Sequence, residues 1–152
     1  MALNQYWASS PLNTYQVLRD IYRTNPGLHF ILETNGLLLG HEPGLVQRLS
    51  QFKRLEVRAA LKGFDEESFE AISGAERGFL TIPVKGLGDL IRNGIRAWPA
   101  ILYETFGPKG IGEINQKLRE YEIRPEELDV EYLEPYAFVL ENLKKRSISL
   151  HP

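Results

Sequence analysis

Two segments constrain this chain more than any other feature: Phe30-Ile-Leu-Glu-Thr-Asn-Gly36 and Leu55-Glu-Val-Arg-Ala-Ala-Leu-Lys-Gly63. Each is apolar and β-prone, and each closes on polar residues followed by glycine. Where strands alternate with helices, ligand chemistry sits at the carboxyl ends of the strands, because the loops there converge on one mouth. Glu33, Thr34, Asn35 and Lys62 are therefore candidates for one shared polar site.

The rest of the chain supplies the alternation. Ser9-Ser10-Pro11 is a helix-start signal, with a hydroxyl to cap free N–H groups and a proline that loses nothing at the first helical position. Leu12, Tyr15, Leu18, Ile21 and Tyr22 follow at helical spacing, and Asn25-Pro26-Gly27 ends the run. Leu28 to Thr34 reads as a buried strand, Gly36 to Gly44 as a loop, and Leu45 to Phe52 as a short amphipathic helix. Leu55, Val57, Ala59 and Leu61 alternate with Glu56, Arg58, Ala60 and Lys62, a period-2 strand whose polar face carries Arg58. A buried arginine needs counter-charge, and Glu33 or Glu56 is the expected partner.

Asp65-Glu66-Glu67 suits the positive end of a helix that Gly74 stops. Pro83 opens the next helix, and Gly94 caps it. Ala97 to Phe106 reads as a strand in which Pro99 predicts a bend or bulge. Gly107 to Gly110 reads as a loop, Ile111 to Tyr121 as a helix, Val130 to Leu133 as a last strand, and Phe138 to Arg146 as a closing helix. Roughly four strand–helix units in series predict an α/β fold with a parallel sheet and right-handed crossovers. The series opens on a helix, so a βα barrel begun there would lack its first units.

Bulk properties narrow the function classes. At 152 residues, the chain is expected to form one domain, 1–152, with an ordinary globular balance of 43% hydrophobic and 25% charged residues. A net charge of −2 argues against a nucleic-acid footprint. No apolar run is long enough to cross a bilayer, and the first residues lack the basic and apolar regions of a signal peptide. A cytoplasmic location is the expectation. With no cysteine, the chain holds no disulfide, no thiolate nucleophile and no thiolate-bound iron or zinc. His29, His41 and His151 lack the spacing of a metal cluster, and Gly86-Leu-Gly88 falls inside a helix, where a phosphate loop has no place. Tyr6 and Trp7 read as an apolar arm.

In order and spacing, the segments resemble the second half of a radical S-adenosylmethionine (radical SAM) domain, most closely the group of pyruvate formate-lyase activating enzymes. Helix Pro11–Thr24 is similar to the helix after that family's Gly-Gly-Glu-Pro stretch. His29 to Gly36 resembles its third strand, with an acidic-Thr-Asn-Gly ending. Leu55 to Gly63, with Phe64 to Gly74, resembles the fourth strand with its Leu-Lys ending and the helix after it. Gly86 to Ile95 and Val130 to Tyr136 are similar to the next helix and to a sixth strand ending in Pro-Tyr. The fold this resemblance implies is a fragment of a (β/α)6 radical SAM barrel, contributing about four parallel strands.

The resemblance also implies site roles. Lys62 would reach the SAM carboxylate, a task suited to a compact ammonium. Its plain alternative is a solvated lysine at a loop start. Glu33 and Thr34 match an acidic-Thr pair that helps bind a monovalent cation near that carboxylate, yet Ala60 stands where those activators carry an Asp. Asn35 would contact ligand, although Asn-Gly also favours a simple turn. No catalytic residue and no metal ligand is assigned.

Missing from the sequence are the family's Cys-x3-Cys-x2-Cys element, which holds a 4Fe-4S cluster, and its Gly-Gly-Glu-Pro run. The implied function is that of a C-terminal portion of an activating-type oxidoreductase. The complete enzyme would cleave SAM reductively with its iron–sulfur cluster and take hydrogen from a glycyl-radical protein or a small-molecule substrate. Its partner would be the missing N-terminal half of the barrel, and the isolated chain would be inactive. Exposed strand edges of a partial barrel are liable to pair with a neighbouring chain, which would give a dimer. The alternative is a cluster-free α/β binding or assembly module. A third reading, a sugar- or phosphate-handling βα fold, rests on fold analogy alone.

Overall fold

The structure, a computed structural model, describes residues 11–152. The helix-start serines Ser9 and Ser10 and the Tyr6–Trp7 arm lie outside the described residues. The chain forms an α/β fold with a four-stranded, all-parallel sheet flanked by helices. The strands are β1 (Phe30–Thr34), β2 (Leu55–Ala60), β3 (Arg96–Leu102) and β4 (Asp129–Glu131), and they lie side by side in chain order. The helices are α1 (Pro11–Thr24), α2 (Leu37–His41), α3 (Pro43–Leu49), α4 (Glu66–Ser73), α5 (Thr81–Arg92), α6 (Tyr103–Glu120) and α7 (Ala137–Lys145).

Sheet order follows from the period-2 pattern and the crossovers. Register runs Phe30↔Leu55 to Thr34↔Ala59, Glu56↔Arg96 to Ala60↔Ala100, and Ala100↔Asp129 to Leu102↔Glu131. Because side chains alternate across a strand, one face carries Phe30, Leu32, Leu55, Val57, Ala59, Ala97 and Ile101. These pack with Leu39, Val46, Leu49, Leu87, Leu90 and Leu118 of the helices into one core. Val57, at the middle of β2, is fully buried (0% exposed). The opposite face is mixed: the charged Glu33, Glu56, Arg58, Arg96, Asp129 and Glu131 stand among Ile31, Ala60, Trp98, Ala100 and Leu102. Consecutive right-handed crossovers place the helices on one side of such a sheet, so among the described residues this second face is left open.

Several boundaries differ from the sequence reading, for physical reasons. Gly36–Gly44 is not a loop. Asn35-Gly36 turns the chain, with Gly36 in the left-handed region (φ 77°), and α2 and α3 follow directly. The loop reading missed that Leu37-Leu-Leu39 is an apolar run with a surface to cover, which α2 lays against α5. The predicted strand over Ala97–Phe106 ends at Leu102 instead. Thr105 Oγ1 donates to the Leu102 carbonyl at 2.9 Å, closing a helical turn over Tyr103–Phe106. α6 then breaks at Gly107 (φ 59°, ψ 179°) and resumes at Pro108, so the expected Gly107–Gly110 loop is a kink.

Pro99 makes no bulge, since the β2–β3 register is unbroken through it. The Leu61 amide donates to the Ala100 carbonyl at 2.8 Å, so Ala100 turns its backbone groups toward β2 and Pro99 turns its own toward β4. Pairing with β4 starts only at Ala100, and the donor that proline lacks falls where no strand asks for it.

Candidate ligand site at the carboxyl edge of the sheet

β1 and β2 are parallel neighbours, so Glu33-Thr34-Asn35 and Leu61-Lys62 end on the same edge of the sheet. All four residues singled out in the sequence reach that edge, and their local roles differ. Thr34 Oγ1 accepts from the Gly36 amide at 3.2 Å, and Asn35 Oδ1 accepts from the Leu37 amide at 3.1 Å. Both side chains thereby shape the turn into α2, which is the plainer of the two roles open to Asn35-Gly36. The outward amide N–H₂ of Asn35 remains a donor, since only its oxygen serves the turn. Lys62 is exposed and pairs with none of the described residues. The backbone before it is fixed by the Leu61–Ala100 hydrogen bond.

Glu33 stands on the open face, its Oε1 3.6 Å from Nη1 of Arg58. The expectation that Glu33 partners Arg58 is met, and two acids that sequence reading missed complete the cluster. Asp129 Oδ2 accepts from Nε at 3.0 Å and Nη2 at 2.9 Å, and Glu131 Oε1 lies 2.6 Å from Nη2. Arg58, whose own register partner on β3 is Trp98, reaches them diagonally across β3, where small Ala100 is the register partner of Asp129. Burial works against the charge of this guanidinium, whose side chain is only 13% exposed. The Asp129 hydrogen bond and the charges of Glu131 and Asp129 outweigh burial and hold its pKa above the ordinary arginine value.

Glu56, the other expected partner of Arg58, is engaged elsewhere. It takes Arg96 Nη1 at 2.9 Å and lies 3.1 Å from His29 Nε2. Burial raises the Glu56 carboxyl pKa, but the hydrogen bonds from Arg96 and His29 more than reverse this and leave it lowered.

A signal for the missed acids exists in the sequence. Asp129 and Glu131 sit two apart and share a face if the last strand starts at Asp129, one residue before the predicted Val130. Nothing in the sequence says that this strand lies two places from β2.

The donor set answers which groups the site fits. The chain has no cysteine, and among the described residues no group of three His, Cys, Asp or Glu side chains could hold a metal ion. An iron–sulfur cluster therefore does not fit the residues present. A monovalent cation beside Glu33 would compete with the Arg58 guanidinium for the same carboxylate. What the edge does offer is two exposed hydrogen-bond donors, the Lys62 ammonium and the Asn35 amide N–H₂, the chemistry that suits an anionic or zwitterionic group. No protein-family model matches this chain, and no curated protein matches it. Among the described residues, no helix is long and apolar enough to cross a membrane.

Proposed function

We propose that this chain is the C-terminal portion of a cytoplasmic radical SAM enzyme of the activating type, with Lys62, Asn35, Glu33 and Thr34 along its SAM pocket. The observation that carries this reading is the juxtaposition of two motifs on one edge. The Glu33-Thr34-Asn35-Gly36 end of β1 and the Leu61-Lys62-Gly63 end of β2 lie side by side, in parallel, as the resemblance requires. Four parallel strands in sequential order, with a charge-bearing face opposite the core, agree with part of a barrel wall.

In this reading Lys62 binds the SAM carboxylate, the Asn35 amide hydrogen-bonds the ligand, and Thr34 fixes the turn that presents Asn35. Glu33 is held by Arg58 and bounds the pocket on the open face. The cluster, which supplies the reductive chemistry, would belong to a cysteine-bearing N-terminal half of the barrel. That half would dock along β1, an outer strand with Leu28 and Ile31 exposed. A glycyl-radical protein or a small molecule would be the hydrogen donor.

Calorimetric titration with SAM tests the pocket. The wild type is expected to give a saturable heat, and Lys62→Ala to weaken binding by about tenfold, the loss of one charge-assisted contact. Equal heats from the two proteins would remove Lys62 from the pocket. A second reading, a cluster-free α/β binding or assembly module, is favoured by one observation. The oxygens of Thr34 and Asn35 already serve the turn, and the open face satisfies Arg58 from within the chain. An upstream reading frame without the Cys-x3-Cys-x2-Cys element would decide for this second reading.

A further inference from the structure

The amino edge of the same sheet, at the far end from Lys62, carries a separate cationic cleft. Parallel strands bring the residues that precede or open them to one edge. The register Phe30↔Leu55 sets His29 beside Arg54, and Glu56↔Arg96 sets the next pair beside them. Counting alternate residues, His29, Arg54, Glu56 and Arg96 all fall on the open face. Together with Lys53 they line a cleft of about 580 Å³. That volume lies within the range of small-molecule sites.

Charge and anchoring are both favourable. Three permanent cations, Lys53, Arg54 and Arg96, face one carboxylate, Glu56, which is itself engaged by Arg96 and His29. Arg54 is braced by its Nη1 hydrogen bond to the Gly27 carbonyl at 2.8 Å. Arg96 is braced by Glu56 and by lying over the Trp98 ring, 5.4 Å from its centroid. One hydrogen bond each leaves most of the five guanidinium donors open. Lys53 is exposed and pairs with none of the described residues. Two positioned guanidinium forks and an exposed ammonium in one concavity make a site for a multiply charged phosphate group, which matches the fork geometry and outweighs the single carboxylate.

We infer that this cleft binds a phosphorylated small molecule through Arg54, Arg96 and Lys53. The inference is independent of the SAM reading, because no residue is shared between the two ends of the sheet.

Titration with inorganic pyrophosphate at low ionic strength, followed by calorimetry and amide NMR shifts, tests it. The expected result is saturable one-to-one binding, with shifts centred on Lys53–Glu56 and Gly94–Arg96. Lys53→Gln and Arg54→Gln should each weaken binding about tenfold, the loss of one charge-assisted contact, while Lys62→Ala leaves it unchanged. Lys53→Gln keeps the test decisive if Arg54→Gln disturbs the turn at Gly27. The inference is overturned if the wild type shows no saturation at millimolar pyrophosphate. It is equally overturned if Lys53→Gln binds like the wild type, or if Lys62→Ala weakens binding as much as Lys53→Gln does.

Discussion

A guanidinium under a sheet face needs counter-charge within reach, and Arg58 collects it from β1 and from β4, two strands away on its other side. Substituting Arg58→Met keeps most of the volume and removes the charge, leaving Glu33, Asp129 and Glu131 facing one another. Urea unfolding should show a loss of about 2–3 kcal/mol, the cost of breaking partly buried charged hydrogen bonds. Glu131→Gln should cost less than about 1 kcal/mol, because that carboxylate is half exposed and water replaces the lost bond.

Asp65 offers a second test at the same scale. It caps α4, accepting from the Ser68 amide at 2.7 Å while the Ser68 hydroxyl accepts from the Asp65 amide at 3.1 Å. Burial raises its pKa, but the Ser68 hydrogen bonds and the charges of Lys109 and Lys117 outweigh burial and leave it lowered. A lowered carboxyl contributes stability that is full above the unfolded value, about 3.9, and is lost as pH falls through the folded one. Asp65→Asn preserves a cap without a charge, so it should lose the charge-dependent stability at neutrality, match the wild type more closely in acid, and so flatten part of the acid limb of stability against pH. Urea midpoints from about pH 5 down to pH 2 would show this; an unchanged acid limb would contradict it. Glu56 and Asp89, also lowered, account with the same sign for some of what remains.

At the scale of elements, the pairing of α2 with α5 decides how the first crossover packs. A Cβ on Gly40 would stand 1.9 Å from the Ile82 carbonyl oxygen, and one on Gly86 would stand 2.6 Å from the Gly40 nitrogen. Both clashes are with backbone, which cannot swing aside, so the helices approach this closely only because both positions lack side chains. Gly86→Ala should destabilise by about 1–3 kcal/mol or more, as overpacking does. Gly112, exposed in α6 with open space around it, should do the opposite. Gly112→Ala is expected to gain about 0.5–1 kcal/mol by removing backbone freedom from the unfolded chain. Thermal or urea melts of the pair would confirm the opposite signs. In sequence, Gly36, Gly40 and Gly44 look like three loop glycines. Only the contact with Ile82 separates Gly40, a packing glycine inside a helix, from Gly36, a turn glycine with positive φ.

For the whole molecule, the sheet order sets a gradient of stability. β2 and β3 are paired on both sides and lie over the core, whereas α7 has no buried residue and is tied back through Arg146 Nη2 to the Ala71 and Ile72 carbonyls at 3.2 Å. Hydrogen exchange should find the Val57 region opening only with global unfolding and α7 opening at a free energy near zero. Equal protection in the two regions would refute that ordering. The sequence by itself determined the α/β class, the parallel sheet and the edge shared by Glu33, Thr34, Asn35 and Lys62. Those depend on local periodicity and on the handedness of crossovers, which are written along the chain. Tertiary structure alone decided that Arg58 is answered by Asp129 and Glu131 and that α2 replaces a loop. It alone decided that His29, Arg54 and Arg96 line one cleft. Each of these is a meeting of residues distant in sequence, and such meetings are fixed by register and close packing, which no local pattern encodes.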